Sequence, residues 1–75
     1  MDFSEALLAM KDGKRVRRAI WASDGTYGSA MEIADLTVPG GQVIRQLIVR
    51  YADERVFAFG GSQWDILSDD WELAE

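Results

Sequence analysis

Residues 42–51 constrain the fold of this chain more than any other stretch. They read Gln-Val-Ile-Arg-Gln-Leu-Ile-Val-Arg-Tyr, and their content of Val and Ile is typical of a β-strand. When alternate residues are assigned to opposite faces of a sheet, both faces receive apolar side chains. Such a strand is expected to be central and covered on both sides. A helix can cover one face, and a second copy of the protein is the expected cover for the other.

The N-terminal segment predicts that helix. Asp2 is a suitable N-cap residue, and Glu5 three residues later completes a capping-box pattern. Gly13 is the natural residue to follow the last turn. The sequence therefore predicts a helix over residues 3–12, and its apolar residues share one stripe that belongs to the core: Phe3, Ala6, Leu7 and Met10.

The remaining segments predict strands. Residues 16–21 alternate with a period of two, and a turn follows at residues 23–25. Residues 26–34 predict a second strand, and residues 55–59 return from residues 42–51 through a tight hairpin. With a last strand at 71–73, the fold class is α+β: an N-terminal helix packed on a four- to five-stranded, mostly antiparallel sheet in one domain spanning residues 1–75.

A domain of this size needs additional stabilisation. A chain of 75 residues buries only about 60–65% of the surface that it exposes when unfolded. The sequence has no cysteine and no histidine, which excludes disulfides and thiolate zinc sites. Because 48% of the residues are nevertheless hydrophobic, we expect a homo-oligomer. The lack of cysteine and of any signal peptide or membrane span favours the cytoplasm.

Residues 59–71 contain three aromatic rings, a glycine pair and three carboxylates. Gly60 and Gly61 allow a sharp bend, after which Ser62 is placed to cap a short helical turn that has Asp65 at its third position. The turn gathers a hydroxyl, a carboxylate and backbone N–H groups at one point. This arrangement suits either a ligand site or simply a well-capped turn.

The charge distribution limits the class of ligand. The net charge of −5 argues against a general nucleic-acid binder. However, residues 11–18 hold five of the eight cations, which fits a small anionic ligand as well as a solvated charged edge. On the predicted first strand, Arg17 and Trp21 share one exposed sheet face, where they could hold a phosphate and stack a base or cover a dimer interface.

Catalysis has little support in the sequence. Without His or Cys, acid–base chemistry would depend on carboxylates, and a Ser or Thr nucleophile would lack its usual base. Asp65, Asp69 and Asp70 do not have the spacing of a calcium loop. We therefore expect a binding protein that is not an enzyme and that needs no metal or cofactor.

Three segments together resemble one known family. They are Asp-Phe-Ser-Glu-Ala-Leu at residues 2–7, Gly-Lys-Arg-Val-Arg-Arg-Ala-Ile-Trp at residues 13–21, and Ala-Phe-Gly-Gly-Ser-Gln-Trp-Asp-Ile-Leu-Ser-Asp-Asp-Trp-Glu at residues 58–72. Their order and spacing resemble the small phage domain of the Thoeris anti-defence two family and its anti-CBASS relatives. The resemblance spans residues 2–21 and 57–73, which is more than half of the chain.

The resemblance implies a function. Members of that family are sponges that form homo-oligomers, typically tetramers, and hold nucleotide messengers of bacterial immunity between protomers without degrading them. By this resemblance, the ligand is a cyclic ADP-ribose isomer or a cyclic dinucleotide, captured in the cytoplasm of the infected bacterial host so that Thoeris or CBASS signalling is blocked. The resemblance places Arg18, Trp21, Ser62 and Asp65 in or beside the pocket, and Tyr27 where the family often has an aromatic residue.

The residue types suggest a role for each residue of the predicted site. Trp21 and Phe59 would stack on bases, Arg17 and Arg18 would bind phosphate, and Asp65 with Ser62 would form hydrogen bonds to ribose or base edges. Trp64 and Trp71 are assigned to the core or to an interface. An alternative function is a protein-binding inhibitor or an oligomeric assembly adaptor that uses the same exposed aromatics as binding hot spots.

Overall fold

The computed structural model describes residues 1–24, 30–51 and 53–74, and for residues 22–24 it describes the backbone alone. Within these residues the chain forms three helices and five strands. In chain order they are α1 (Phe3–Lys11), β1 (Val16–Arg18), α2 (Ala19–Asp24), β2 (Ala30–Thr37), β3 (Val43–Arg50), β4 (Val56–Ala58), α3 (Gln63–Ile66) and β5 (Trp71–Leu73).

The five strands form one sheet in the order β4-β3-β2-β1-β5, and every neighbouring pair is antiparallel. The β2–β3 hairpin is the longest pairing and runs from Ala30 opposite Arg50 to Thr37 opposite Val43. β1 pairs with β2 on one side and with β5 on the other, so the first and last strands of the chain are neighbours in the sheet. The predicted α+β class, with an N-terminal helix and an antiparallel sheet, is confirmed.

Helix α1 begins as the sequence predicted. The Asp2 carboxylate accepts the Glu5 backbone N–H at 2.8 Å, and the Asp2 backbone N–H donates to the Glu5 carboxylate at 3.1 Å. This reciprocal pair satisfies two N–H groups that a helix start leaves without a partner. After the last turn, Gly13 takes a φ of +86°, a conformation that glycine adopts without steric cost.

The core lies between α1 and one face of the sheet. Its central side chain is Trp71, whose ring packs against Phe3 with a centroid separation of 5.3 Å and against Trp21 at 5.4 Å. Both contacts are edge-to-face, an arrangement that aromatic pairs favour. The buried residues of this cluster come from both helical and strand segments: Ala6, Met10, Val16, Trp21, Met31 and Trp71.

The first strand is shorter than predicted. It ends at Arg18, and helix α2 occupies residues for which we predicted the end of a strand and the start of a turn. At the junction, the Ala19 backbone N–H donates to the Asp70 carbonyl at 3.0 Å, and α2 then directs Trp21 inward, where it is only 5% exposed. The prediction that Arg17 and Trp21 share an exposed sheet face is therefore wrong, because burying the large indole outweighs continuing the strand.

The boundaries of β2 also differ from the prediction. We predicted a strand over residues 26–34, of which residues 26–29 lie outside the described residues. The strand instead continues to Thr37, since its pairing with β3 extends until a tight loop in which Val38 N–H donates to the Gln42 carbonyl at 2.8 Å. Gly40 and Gly41 take φ values of +99° and +85° there, so the loop can reverse the chain within the five residues 38–42.

The sheet face opposite α1 is called the open face below. It carries Ile48, which is buried, and three apolar side chains that are exposed on the single chain: Leu36, Ile44 and Val56. Near its centre, the Glu32 carboxylate pairs with Arg15 at 2.7 Å and with Arg50 at 2.8 Å. The hydrogen bond from Arg50 is the main reason why the pKa of Glu32 is lowered. Cover of this face by a second copy stays a prediction.

Replacing Met31 by Ala should lower the free energy of unfolding by about 2–5 kcal/mol, because the fully buried side chain would leave a cavity beneath α1. Leu8 on the outer side of α1 is 67% exposed, so Leu8→Ala serves as the matched control and should cost less than about 0.5 kcal/mol. Urea unfolding followed by tryptophan fluorescence measures both. Equal losses in the two variants would contradict the assignment of the core.

Candidate ligand-binding site

A cavity of about 290 Å³ lies where strands β3 and β4 meet the segment that leads into α3. Four residues that the sequence predicted for binding line it together. Its lining consists of Trp21, Val49, Tyr51, Phe57, Ala58, Phe59, Gly60, Gly61, Ser62 and Asp65. The structure therefore brings Trp21, from the second helix, to the same cavity as the glycine-rich motif almost forty residues further along the chain.

Strand register supplies two rings that the sequence analysis missed. Val49 pairs directly with Phe57, so both side chains lie on the sheet face that carries the core. Tyr51 is two residues beyond Val49 and lies on the same side, with its ring 5.4 Å from that of Phe57. The signal was available in the alternation of residues 47–51, which places Tyr51 on the face of Leu47 and Val49.

Phe59 links the cavity to the core. Its backbone N–H donates to the Leu47 carbonyl at 3.0 Å, and its ring stacks on that of Phe3 with a centroid separation of 6.3 Å. The next two residues, Gly60 and Gly61, form an open stretch of backbone, since a Cβ built at either position would meet no atom within 4 Å. The sharp bend itself depends on Gly61, whose φ is +71°.

Ser62 occupies the N-cap position of α3, as predicted, but its hydroxyl makes no capping hydrogen bond. The Ser62 carbonyl instead accepts the backbone N–H groups of Asp65 and Ile66, each at 3.1 Å. The predicted side-chain cap is therefore wrong, because backbone bonds alone close this single turn. The consequence for the site is that the Ser62 side chain lines the cavity without being engaged by the helix it precedes.

Arg18 lies behind Asp65 and is held by two carboxylates. Its Nη1 donates to Asp65 Oδ1 at 2.7 Å, while Nε and Nη2 donate to the two oxygens of Asp70 at 2.7 and 3.2 Å. These hydrogen bonds, that of Asp70 foremost, raise the pKa of Arg18, and the bond from Arg18 lowers the pKa of Asp70. The three groups together carry a net negative charge, which disfavours the predicted contact between Arg18 and a phosphate. Arg18 instead orients the Asp65 carboxylate.

The predictions for Arg17 and Tyr27 have different outcomes. Arg17 follows Val16 on β1 and points to the opposite face of the sheet, where it pairs with Glu72 at 2.9 Å. Within one chain Arg17 therefore lies apart from the cavity that Trp21 lines, and its predicted contact with a phosphate stays a prediction. Tyr27 lies outside the described residues, so its predicted role stays a prediction.

The other two tryptophans, Trp71 and Trp64, differ strongly in their exposure to solvent. Trp71 belongs to the core, as predicted, and its indole N–H donates to the Asp65 backbone carbonyl at 2.8 Å. This bond fixes α3, and with it Asp65, to the centre of the molecule. Trp64 is 80% exposed and does not belong to the core, while its predicted interface role stays a prediction.

In the part of the chain that the structure describes, no group of three or more carboxylates is arranged to hold a metal ion. Asp65 and Asp70 form ion pairs with Arg18, and they are two of the three carboxylates that the sequence analysis considered as possible metal ligands. Among the described helices, none has the length and hydrophobicity to cross a membrane.

Comparison with known proteins supports the resemblance seen in the sequence. The family model described as the Thoeris anti-defense 2-like domain matches residues 1–74. One curated relative, named Thoeris anti-defense 2 and found in Bacillus phage SP01, is 28% identical over 83 aligned residues that cover 97% of this chain and 93% of the relative. The family match includes every residue that lines the cavity.

Replacing Arg18 by Met should lower the free energy of unfolding by about 2–3 kcal/mol at pH 7, because two partly buried carboxylates lose a charged hydrogen-bond donor. The loss should depend on pH. The folded-state pKa of Asp70 is lowered, so its stabilising pairing is complete above the unfolded value of about 3.9 and is lost as the pH falls through the folded value.

Urea unfolding at a series of pH values tests this prediction. The stabilities of the wild type and Arg18→Met should converge as the pH is lowered below about 4. Arg45→Met is the matched control, since Arg45 pairs with Asp35 at 3.1 Å on an exposed surface and should change stability by less than about 1 kcal/mol at any pH. A constant difference between the wild type and Arg18→Met across the series would contradict the proposed pairing.

Proposed function

This chain belongs to the Thoeris anti-defense 2-like family, and we propose from that premise that it binds and sequesters a cyclic nucleotide immune messenger without degrading it. The family to which it belongs is one of phage anti-defence. The proposed ligand is a cyclic ADP-ribose isomer or a cyclic dinucleotide. Its capture in the cytoplasm of an infected bacterium would block Thoeris or CBASS signalling.

The observation that carries this proposal is the aromatic character of the cavity. Trp21, Tyr51, Phe57 and Phe59 line one small volume, and stacking of a base on an aromatic side chain contributes about 1–3 kcal/mol. Phe57 is 51% exposed, whereas Trp21 is buried against Trp71. Phe57 and Phe59 are therefore the better stacking surfaces, and Trp21 forms the floor on which the ligand rests.

Polar groups at the other side of the cavity suit a ribose. The Ser62 hydroxyl can donate or accept, and the Asp65 carboxylate, oriented by Arg18, can accept hydrogen bonds from ribose hydroxyls or a base amino group. The Asp65 carboxylate is bound to Arg18 at 2.7 Å, and the chain has no histidine or cysteine that could act as a general acid or base. The chemistry supports binding without turnover.

The size of the cavity supports a shared pocket. Ligand pockets usually have volumes of about 300–1,000 Å³, and a cavity of about 290 Å³ would enclose only part of a cyclic nucleotide. We propose that a neighbouring protomer encloses the remainder. A second self-contact would cover the open face, where Leu36, Ile44 and Val56 are exposed. Two different self-contacts of this kind are sufficient to build the homotetramer that the family resemblance implies.

A second candidate function has an observation of its own. Trp64 and Leu67 lie one turn apart at α3 and are 80% and 81% exposed. A large exposed indole is the side chain that most often forms a hot spot in a protein interface. These residues favour the alternative in which the chain is a protein-binding inhibitor or an oligomeric assembly adaptor.

Thermal unfolding with and without candidate ligands tests the first function. A cyclic ADP-ribose isomer or a cyclic dinucleotide at a hundred times its dissociation constant should stabilise the protein by about 2.7 kcal/mol. Phe57→Ala should weaken binding by about tenfold or more through the lost stacking surface. Trp64→Ala, which removes an aromatic ring outside the cavity, is the matched control and should bind as the wild type does.

Chromatography of the ligand recovered after heat denaturation tests the absence of turnover, and the ligand should be released intact. A converted ligand would show that the protein is an enzyme. No stabilisation by any of these messengers would instead refute sequestration and favour the adaptor.

Mass measurement by sedimentation tests the assembly. Ile44→Asp places a carboxylate on the open face and should reduce the mass of the oligomer, because a buried unpaired charge disfavours the contact. Val43→Asp introduces the same group on the opposite face of the same strand, at a residue that is 59% exposed, and should leave the mass unchanged. If Ile44→Asp retains the mass of the wild type, the open face is not an interface.

A further inference from the structure

We infer that Arg55, immediately before β4, is the phosphate-binding residue of the cavity and thereby determines the direction in which the ligand lies. This inference rests on the proposed function, since it concerns how the same cavity binds a cyclic nucleotide. It assigns a role to a residue that lies far along the chain from the basic segment of residues 11–18.

The position of Arg55 follows from the strand register. Phe57 lies two residues further along the chain, so both side chains are on the sheet face that forms the cavity. The Tyr51 backbone N–H donates to the Arg55 carbonyl at 2.9 Å, which fixes the two residues opposite one another. As a result, the Arg55 guanidinium carbon is 5.5 Å from the centre of the Tyr51 ring and 5.9 Å from that of Phe57.

Both of those rings line the cavity, whereas Arg55 itself does not, so the guanidinium lies next to two lining residues. Contact with aromatic rings also favours the charged group, because the negative faces of the rings attract a cation. A guanidinium held in this way is oriented before a ligand arrives. Its planar set of N–H donors matches two phosphate oxygens at once.

The other cations are placed differently. Arg15 and Arg50 share Glu32 on the open face, and Arg17 pairs with Glu72 on the same face. Arg18 is bound to the lining residue Asp65 and to Asp70, and these two carboxylates outweigh its charge. The remaining three cations lie away from the cavity, at the end of α1 and on the outer part of β3: Lys11, Lys14 and Arg45.

The partner of Arg55 can be replaced by a ligand. Among the described residues its carboxylate partner is Asp53, at 2.6 Å, and the two side chains are 65% and 54% exposed. An exposed pair of this kind contributes little to stability, since water competes for both charges. The Asp53 carboxylate also accepts the Arg55 backbone N–H at 3.2 Å, so it has a bond to the loop that does not require the guanidinium. A phosphate can therefore take the place of Asp53 without disturbing the turn.

The two sides of the cavity therefore differ in the sign of the charge beside them. Arg55 provides a positive group beside the β3–β4 hairpin, while the cluster of Arg18, Asp65 and Asp70 is negative at the α3 side. A cyclic nucleotide would place a phosphate beside Arg55 and direct its ribose hydroxyls toward Asp65. The reverse orientation would put a phosphate against a carboxylate and would be disfavoured by repulsion.

Isothermal titration of the full chain with a cyclic ADP-ribose isomer and with cyclic dinucleotides tests this assignment. For the messenger that the wild type binds, Arg55→Gln should weaken binding by about 10- to 100-fold, the usual effect of losing a hydrogen bond from a charged donor. Arg55→Lys keeps the charge but not the planar donors, so its affinity should be intermediate. Asp53→Asn, which keeps the acceptor for the turn and removes the competing charge, should bind more tightly than the wild type.

Arg45→Gln is the matched control, because it removes an equally exposed arginine that has its own carboxylate partner, Asp35, on the same sheet. It should bind within about twofold of the wild type, as expected for a screened charge far from the ligand. Equal weakening by Arg55→Gln and Arg45→Gln would overturn the assignment, since the effect would then be one of overall charge. Unchanged binding by Arg55→Gln would overturn it while leaving the proposed function intact. No binding by the wild type would refute the proposed function itself, and the inference with it.

Discussion

The structure depends on the contacts of one indole, that of Trp71. It makes edge-to-face contacts with Phe3 from the first helix and Trp21 from the second, and its N–H donates to the backbone carbonyl of Asp65. A single side chain of β5 therefore joins the N-terminal helix, the residue that forms the floor of the cavity and the turn that carries the polar groups. In a small domain without disulfides, such a junction replaces a covalent link.

The contacts of Trp71 also make the proposed site rigid. Asp65 is fixed through its backbone by Trp71 and through its carboxylate by Arg18, so both the place and the direction of its oxygen atoms are determined before binding. The aromatic side of the cavity lies on strands, which hold Phe57 opposite Val49. A preformed site loses less conformational entropy when a ligand is bound, and this supports tight capture.

Much of the fold could be predicted from periodicity and end signals, because α1, β3 and β5 are governed by local patterns such as the capping box at Asp2 and the apolar alternation of residues 43–50. Helix α2 could not be predicted in this way, since the direction of Trp21 depends on its contact with Trp71, fifty residues further along the chain. For the same reason Trp21 was assigned to an exposed sheet face, whereas it is buried and lines the cavity. The proposed role of Arg55 was not predicted, because the hairpin pattern alone does not show that the guanidinium contacts the rings of Tyr51 and Phe57.

The ionic triad on the open face has a consequence for symmetry. Glu32 lies between Arg15 and Arg50, so the triad carries one surplus positive charge. Two identical copies stacked with their triads in register would bring these like charges together in a poorly hydrated layer. If a second copy covers this face as proposed, a two-fold axis between the copies would be displaced from Glu32 toward the apolar end of the β2–β3 hairpin, and this offset would favour one alignment of the two copies.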